Sequence, residues 1–171
     1  MVQIRSARQD EAYLLADVGY RAWESAAIGW GEDEETRENV ASAFRQFTRQ
    51  HWLSIDVAEQ AAQIVGWSAR EKLDNNITDL WVEPAFHRQG IGTKMLQAIE
   101  AEMIRIGHTE LITQVHSENE NAVSFFMKNG FRVQWMTTAW SAKLDRDVDT
   151  VGLVKDLGDD DGEQPEGYGE F

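Results

Sequence analysis

Two glycines separated by one residue, Gly90 and Gly92, lie between an apolar segment and an amphipathic one, and this arrangement constrains the fold more than any other feature. Residues 77–82 read as a β-strand, whereas the apolar residues after Gly90 recur every three or four positions, as on one face of an α-helix. Glycine lets the backbone approach a bulky ligand, and the first N–H groups of a helix have no intrahelical acceptors. The segment therefore predicts a strand–turn–helix unit that binds the pyrophosphate of a nucleotide-like ligand.

The glycine spacing excludes the two commonest nucleotide-binding loops. A dinucleotide-binding turn has a third glycine three residues after the second, where this chain has Met95. A P-loop has four residues between its glycines and ends in Gly-Lys-Ser/Thr, which this segment lacks.

Residues 87–92, His-Arg-Gln-Gly-Ile-Gly, resemble the acyl-CoA loop of the GCN5-related N-acetyltransferase (GNAT) family. The family pattern is Gln/Arg-x-x-Gly-x-Gly/Ala after a strand, and the match fails only at its first residue, His87. Residues 115–131 resemble the family's second pattern, Val-x-x-x-Asn-x-x-Ala-x-x-Phe-Tyr-x-Lys-x-Gly-Phe. The two patterns occur in the family's order and spacing, and a looser similarity runs from Ile4 to Leu157.

The resemblance implies that acetyl-CoA is the acyl donor and that three segments bind it. N–H groups of 88–93 would hold the pyrophosphate, with a hydroxyl from Thr93, and the strand before them would pair with the pantetheine amides. Asn119 matches a coenzyme-contacting position and also suits a helix N-cap, two roles that can hold together. Lys128 matches the family's lysine, and a cation that complements the dipole at a helix C-terminus explains it about equally well. The implied set is Leu80, Trp81, Val82, His87, Arg88, Gln89, Gly90, Ile91, Gly92, Thr93, Asn119, Phe126 and Lys128.

Two departures from the family affect the chemistry. Phe126 stands where many members have a tyrosine that protonates the leaving thiolate, and Asn76 stands where several have a Glu or His base. A base must then come from elsewhere, and the candidates are His116, just after the strand beside the thioester, and Asp79. We therefore predict an N-acetyltransferase acting by direct attack, with a CoA-binding regulatory module or an N-terminal or lysine acetyltransferase as alternatives.

Charge and composition restrict the partners. The net charge is -14, and residues 156–171 contain seven acids and no Lys or Arg, so we expect one domain over 1–157 and an acidic, disordered tail over 158–171. This excess of acidic residues argues against nucleic acid as a partner and favours a cationic amine acceptor, either a small molecule or a peptide. Trp30, followed by the acids of 32–35, is a candidate wall of the acceptor site.

Several other partners are not expected. The chain has no cysteine and its four histidines lack ligand spacing, so we predict no disulfide and no metal. No apolar run reaches the length of a membrane span, which predicts a soluble, cytoplasmic protein. Family members often dimerise, and Trp135 or Trp140 would suit a homodimer contact.

The hydrophobic periodicity predicts an α/β (α+β) fold with a central mixed sheet, and the resemblance implies that this fold is of the GNAT type. We expect a central mixed, mostly antiparallel sheet of six to seven strands, flanked by about four helices, with strand 77–82, the next helix and strand 111–115 forming a βαβ unit. The first helix would bury Leu14, Val18 and Ala22, and a turn at Glu59-Gln60 would join two strands. The predicted strands are 2–7, 52–58, 62–70, 77–82, 111–115, 131–140 and 150–155, and the helices begin near 10, 32, 91 and 119.

Overall fold

The structure, a computed structural model, describes residues 1–142 and 144–158. The mixed α/β class is confirmed, with four α-helices and eight strands in this part of the chain. In chain order the elements are β1 (Gln3–Ser6), α1 (Ala12–Ala26), α2 (Glu34–His51), β2 (Ile55–Gln60), β3 (Gln63–Ala69), β4 (Asn76–Ile77), β5 (Asp79–Val82), α3 (Ile91–Arg105), β6 (Glu110–His116), α4 (Glu120–Lys128), β7 (Arg132–Ser141) and β8 (Arg146–Asp156).

The predicted strand 77–82 is divided at Thr78, and the sheet divides with it. β5 joins the antiparallel order β1-β2-β3-β5, whereas β4 joins β4-β6-β8-β7, in which it runs parallel to β6. Ile77 and Leu80 both contact the same core although three positions separate them, so Thr78 breaks the alternation of faces. The described residues therefore form two four-stranded sheets that separate after Ile77, instead of the single central sheet of six to seven strands that was expected. The predicted β–α–β connection runs through α3.

The first core lies between α1, α2 and the first sheet. Trp67 of β3 is fully buried and donates its indole N–H to the carbonyl of Leu15 in α1 (2.7 Å). A Cβ at Gly19 would lie 2.7 Å from the Phe44 ring, so glycine is what allows α1 and α2 to pack this closely. Val18 and Ala22 are buried as expected, but Leu14 is 41 % exposed and Leu15 is buried in its place, because a residue three positions before Val18 also lies on the face that carries Val18 and Ala22.

The second and third cores place α3 and α4 against the sheets. Of the five apolar residues that recur at helical spacing after Gly90, four are buried, at 5 % exposure or less: Ile91, Met95, Ile99 and Met103. The fifth, Ile106, lies past the end of the helix and is 44 % exposed. Gly130 follows α4 with φ 97°, as expected for a glycine that ends a helix. The helical part of the sequence prediction is thus largely confirmed.

Two predicted strand features are wrong. The hairpin between β2 and β3 turns at Ala61 and Ala62, which have φ of 52° and 64°, rather than at Glu59 and Gln60, which remain in β2. Positive φ at both central residues matches the twist of the flanking strands, and here alanines adopt it. The strand predicted for 52–58 also begins later than expected, because residues 52–54 form a 3₁₀ turn and β2 starts at Ile55.

The end of the chain is only partly described. β7 is the edge strand of the second sheet, and most of its residues are exposed, including Trp140 at 62 %. The homodimer contact through Trp135 or Trp140 stays a prediction. The acidic segment predicted for 158–171 lies outside the described residues except for Gly158.

Candidate active site

The two sheets leave one edge of β5 facing a gap. Glu83 donates its N–H to the carbonyl of Val65 (2.8 Å), and hydrogen-bonded pairs alternate along an antiparallel ladder. Trp81 therefore bonds across to Trp67, whereas Leu80 and Val82 direct their N–H and C=O groups away from β3. No strand among the described residues pairs with that edge. Leu80 and Val82 thus present backbone donors and acceptors to the gap, as the coenzyme role requires, and Trp81 does not.

Thr113 makes the last contact between β6 and β4, the strand that leads into β5 of the first sheet. Its hydroxyl donates to the carbonyl of Ile77 (2.9 Å), and the register continues no further than the pair of these two residues. β6 runs on to His116, so that β5 and the end of β6 flank the gap from opposite sides. An extended ligand with amide groups would fit along β5 by adding a strand to its open edge.

The glycine loop follows β5 directly and forms the N-terminus of α3. Arg88 and Gly90 both adopt the left-handed conformation, with φ of 64° and 78°, and the first bond of the helix runs from Lys94 N–H to the Gly90 carbonyl (3.1 Å). His87, Arg88, Gln89 and Gly90 are exposed, whereas the side chain of Ile91 is buried and offers only its N–H. The N–H groups before Lys94 carry the positive end of the helix dipole, which suits a phosphate anion.

An ion pair holds the start of this loop to α1. Arg21 donates two hydrogen bonds to the carboxylate of Glu83, both at 2.7 Å, and this bonding raises the pKa of Arg21. The Glu83 side chain is largely buried, and bidentate pairs of this kind fix orientation as well as distance. Glu83 is therefore a positioning residue that the sequence prediction did not include.

Phe125 is a second residue that sequence reasoning missed. A Cβ at Gly92 would lie 3.3 Å from the Phe125 ring and 3.8 Å from Val82 Cγ2, so the loop, α4 and β5 meet here. Phe126, which was expected to contact the coenzyme, is instead 4 % exposed and packs edge-on against Phe125 and Phe131 in the second core. The signal was present in the motif, since Phe125 precedes the tyrosine position, but only packing shows which ring faces the loop.

The two remaining coenzyme candidates lie at the ends of α4. Asn119 is the N-cap, and its Oδ1 accepts the N–H of Ala122 (3.1 Å). The cap uses the amide oxygen, so the amide nitrogen is not committed to it. Lys128 lies exposed in the last turn, where a cation complements the helix dipole. The structure therefore shows the capping role of Asn119 and the helix-terminal position of Lys128, whereas the coenzyme contacts of both residues stay predictions.

The structure brings the candidate base and the candidate acceptor wall together. The rings of His116 and Trp30 are stacked, with centroids 6.2 Å apart and planes inclined by 25°. Trp30 lies in the loop between α1 and α2, and the next residue but one, Glu32, accepts two hydrogen bonds from Arg146 of β8 (2.6 and 3.2 Å). This bonding raises the pKa of Arg146. The loop is thereby fixed to the second sheet on the His116 side of the gap.

Asp79, the other candidate base, lies in a different environment. It is 8 % exposed, and its Oδ1 accepts the indole N–H of Trp81 (3.0 Å). The Trp81 ring packs edge-on against Phe44 in the first core (5.2 Å). Asp79 therefore orients a core tryptophan, and its burial keeps it away from a diffusing substrate.

The described part of the chain shows neither a group of metal ligands nor a helix suited to span a membrane. Within residues 1–142 and 144–158, no three His, Cys, Asp or Glu side chains are grouped so that they could hold a metal ion. None of the helices in this part has both the length and the hydropathy of a membrane span.

Comparison with known proteins identifies the class to which this site belongs. Residues 16–131, more than half of the chain, match the acetyltransferase (GNAT) family. The chain is 30% identical over 93 residues to the GCN5-related N-acetyltransferase 7, chloroplastic, of Arabidopsis thaliana. That alignment covers 54% of this chain and 32% of the relative, so the similarity spans about a third of the longer protein.

Solved structures share the fold over nearly the whole chain. The crystal structure of the PaiA N-acetyltransferase of Thermoplasma acidophilum in complex with coenzyme A has a TM-score of 0.76, at 21% identity, covering 91% of this chain and 99% of its own. YncA of Salmonella typhimurium, a putative acetyltransferase solved with acetyl-CoA, has a TM-score of 0.62 at 17% identity, covering 92% and 95%. With the family match, these findings establish that the chain belongs to the GNAT family of acetyltransferases.

Proposed function

We propose that this protein transfers an acetyl group from acetyl-CoA to an amine by direct attack within a ternary complex. The observation that carries the proposal is the open edge of β5, where Leu80 and Val82 present backbone N–H and C=O groups immediately before the glycine loop. The coenzyme is a diphosphate joined to an extended chain with two amides, and the loop and this edge offer matching partners in that order. Acetyl-CoA supplies the acetyl group as an activated thioester.

The residues of this chain would hold the donor in two ways. N–H groups of the loop and of the first turn of α3 bind the diphosphate, with Arg88 as a nearby exposed cation. The backbone of Val82 and Leu80 pairs with the pantetheine amides, and an N–H on this edge donates to the carbonyl oxygen that gains negative charge during attack. Phe125 and the absence of a side chain at Gly92 shape the passage between these two contacts.

His116 is the residue best placed to remove a proton from the acceptor. It ends β6 on the far side of the gap and is partly exposed, whereas Asp79 is buried and hydrogen-bonded to Trp81. Imidazole changes charge within the physiological pH range, which suits a general base for an ammonium group. Phe126 has no hydroxyl and is buried, so water reprotonates the departing thiolate.

The acceptor is inferred to be a cationic amine. The Trp30 ring beside His116 would contact such a group through its face. Glu118, two residues after His116, adds a negative charge that contributes to the raised pKa of Arg146 and would also attract a cation. The net charge of -14 attracts cations from a distance. The small-amine and peptide versions of the proposal differ only in the acceptor, and a panel containing polyamines, amino-acid amines and short peptides separates them.

The test is a thiol-release assay with acetyl-CoA over that panel, using wild-type protein and His116→Gln. We expect His116→Gln to lower kcat by about 100-fold or more with the best acceptor, because general bases contribute on the order of 10²–10⁴. The rate of the variant should also lose the wild-type fall at acid pH. His108→Gln, a change in the loop between α3 and β6, is the matched control and should leave both unchanged.

The alternatives predict different results. A regulatory CoA-binding module would bind the coenzyme in calorimetry yet release no thiol with any acceptor. Equal activity of His116→Gln and wild type across the pH range would exclude His116 as the base while leaving acetyl transfer intact. A wild-type protein that binds neither CoA nor acetyl-CoA would contradict the proposed function itself.

A further inference from the structure

The first residue of the glycine loop reaches back to the strand before it. Nε2 of His87 lies 2.9 Å from the carbonyl oxygen of Val82, five residues earlier. A carbonyl can only accept a hydrogen bond, so the imidazole donates through an N–H at Nε2. His87 is exposed, and its ring lies on the side of β5 that faces the gap, because the Val82 carbonyl is directed away from β3.

The backbone between the two residues holds this contact in place. Residues 84–86 form a 3₁₀ turn that begins with Pro84, in which Phe86 N–H donates to the Glu83 carbonyl (2.8 Å) and His87 N–H to the Pro84 carbonyl (3.2 Å). Glu83 is itself held by the ion pair with Arg21. The turn therefore returns the chain toward the end of β5, and the imidazole has the length needed to meet the carbonyl.

We propose that His87 competes with the pantetheine arm of the coenzyme for the Val82 carbonyl and so sets the affinity for CoA. This inference rests on the proposed function, in which that carbonyl accepts an N–H from pantetheine. The ring of His87 lies on the side of β5 along which the arm would extend, so His87 must leave before the arm can pair with β5, and it exchanges its bond to Val82 for water. The residue lowers coenzyme affinity by protecting the open strand edge in the free protein.

The size of the effect follows from one hydrogen bond. A neutral hydrogen bond contributes about 0.5–1.5 kcal/mol net, which corresponds to a factor of about 2 to 10 in a dissociation constant. Removing the imidazole should therefore tighten CoA binding by about 2- to 10-fold. The gain must be confined to ligands that carry the pantetheine arm, because the diphosphate binds at the helix N-terminus rather than at Val82.

The experiment is calorimetry of wild type, His87→Ala and His87→Phe with two ligands. One ligand is CoA, and the other is 3′-phosphoadenosine 5′-diphosphate, which retains the phosphates and lacks pantetheine. We expect both variants to bind CoA about 2- to 10-fold more tightly than wild type and to bind the shorter ligand with unchanged affinity. His87→Phe keeps a ring without a donor, so its agreement with His87→Ala assigns the effect to the hydrogen bond.

Three outcomes would overturn the inference. These are equal CoA affinity in all three proteins, lower CoA affinity in the variants, and affinities for both ligands that change by the same factor, which would assign His87 to the phosphates. His108→Ala serves as the control for a histidine outside the loop, and circular dichroism confirms that each variant is folded. Because wild-type binding of CoA tests the proposed function, tight wild-type binding with unaltered variants rejects only the role of His87.

Discussion

Gly92 is the residue at which the loop, α4 and β5 come closest together. Replacing it by valine places a Cβ 3.3 Å from the Phe125 ring and two methyl groups beyond it, in the passage that the proposal assigns to the coenzyme. We expect Gly92→Val to weaken CoA binding by about tenfold or more, which is about 1.4 kcal/mol, while the domain still folds. Gln97→Val introduces the same side chain at an exposed position of α3 and should bind CoA as wild type does in calorimetry. Equal affinity in the two variants would contradict the assignment of the loop.

The residues of the site were predictable to the extent that local backbone geometry defines them. Gly90 lies at the turn into α3 that the glycine spacing predicted, and Asn119 is the helix cap expected of an asparagine before α4. The contacts of His87 with Val82 and of His116 with Trp30 were not predictable, because each depends on how a turn or a distant loop places a ring. Phe125 and Phe126 are adjacent and chemically alike, so only packing distinguishes their roles.

The helices and strands show the same difference between features that were predictable from the sequence and features that were not. Asp33 caps α2 by accepting the N–H of Thr36 (2.8 Å), and the acidic start of this helix was evident in the sequence. The hairpin at Ala61 and Ala62 was mispredicted, since alanine carries no signal for positive φ. The division of strand 77–82 was also missed, because a pause in alternation at one residue, Thr78, does not show in a pattern of period two.

One buried charge cluster joins β1 to the turn before α1. Glu11 accepts two hydrogen bonds from Arg5 (2.7 and 3.0 Å) and one from Arg8 N–H (2.9 Å), and the bond from Arg5 chiefly lowers the pKa of Glu11. A depressed pKa means that this stabilisation is present above the ordinary glutamate pKa and is lost as the pH falls through the folded value.

Glu11→Gln should therefore lower the free energy of unfolding at pH 7 by about 1.5–3 kcal/mol, as for hydrogen bonds to charged groups. The difference from wild type should shrink as the pH falls below about 4.3, the ordinary value for glutamate. Urea unfolding at pH 7 and at acid pH measures this difference in the free energy of unfolding. Glu38→Gln, which breaks an exposed pair with Arg45, should change stability by well under about 1 kcal/mol, and a loss as large as that of Glu11→Gln would refute this argument.

At the scale of the whole molecule, the two sheets separate after a two-residue pairing of β4 with β6, and the proposed ligand would lie where they part. A ligand that binds only the folded state at 100 times its dissociation constant stabilises that state by about 2.7 kcal/mol. For a chain of this size, about 2–4 °C per kcal/mol gives a rise in Tm of about 5 to 10 °C with CoA. Hydrogen exchange locates the cause: the amides of Leu80 and Val82 should become protected on binding, whereas that of Trp81, already bonded to β3, should change little. A rise in Tm with no protection at Leu80 and Val82 would place the coenzyme elsewhere in the fold.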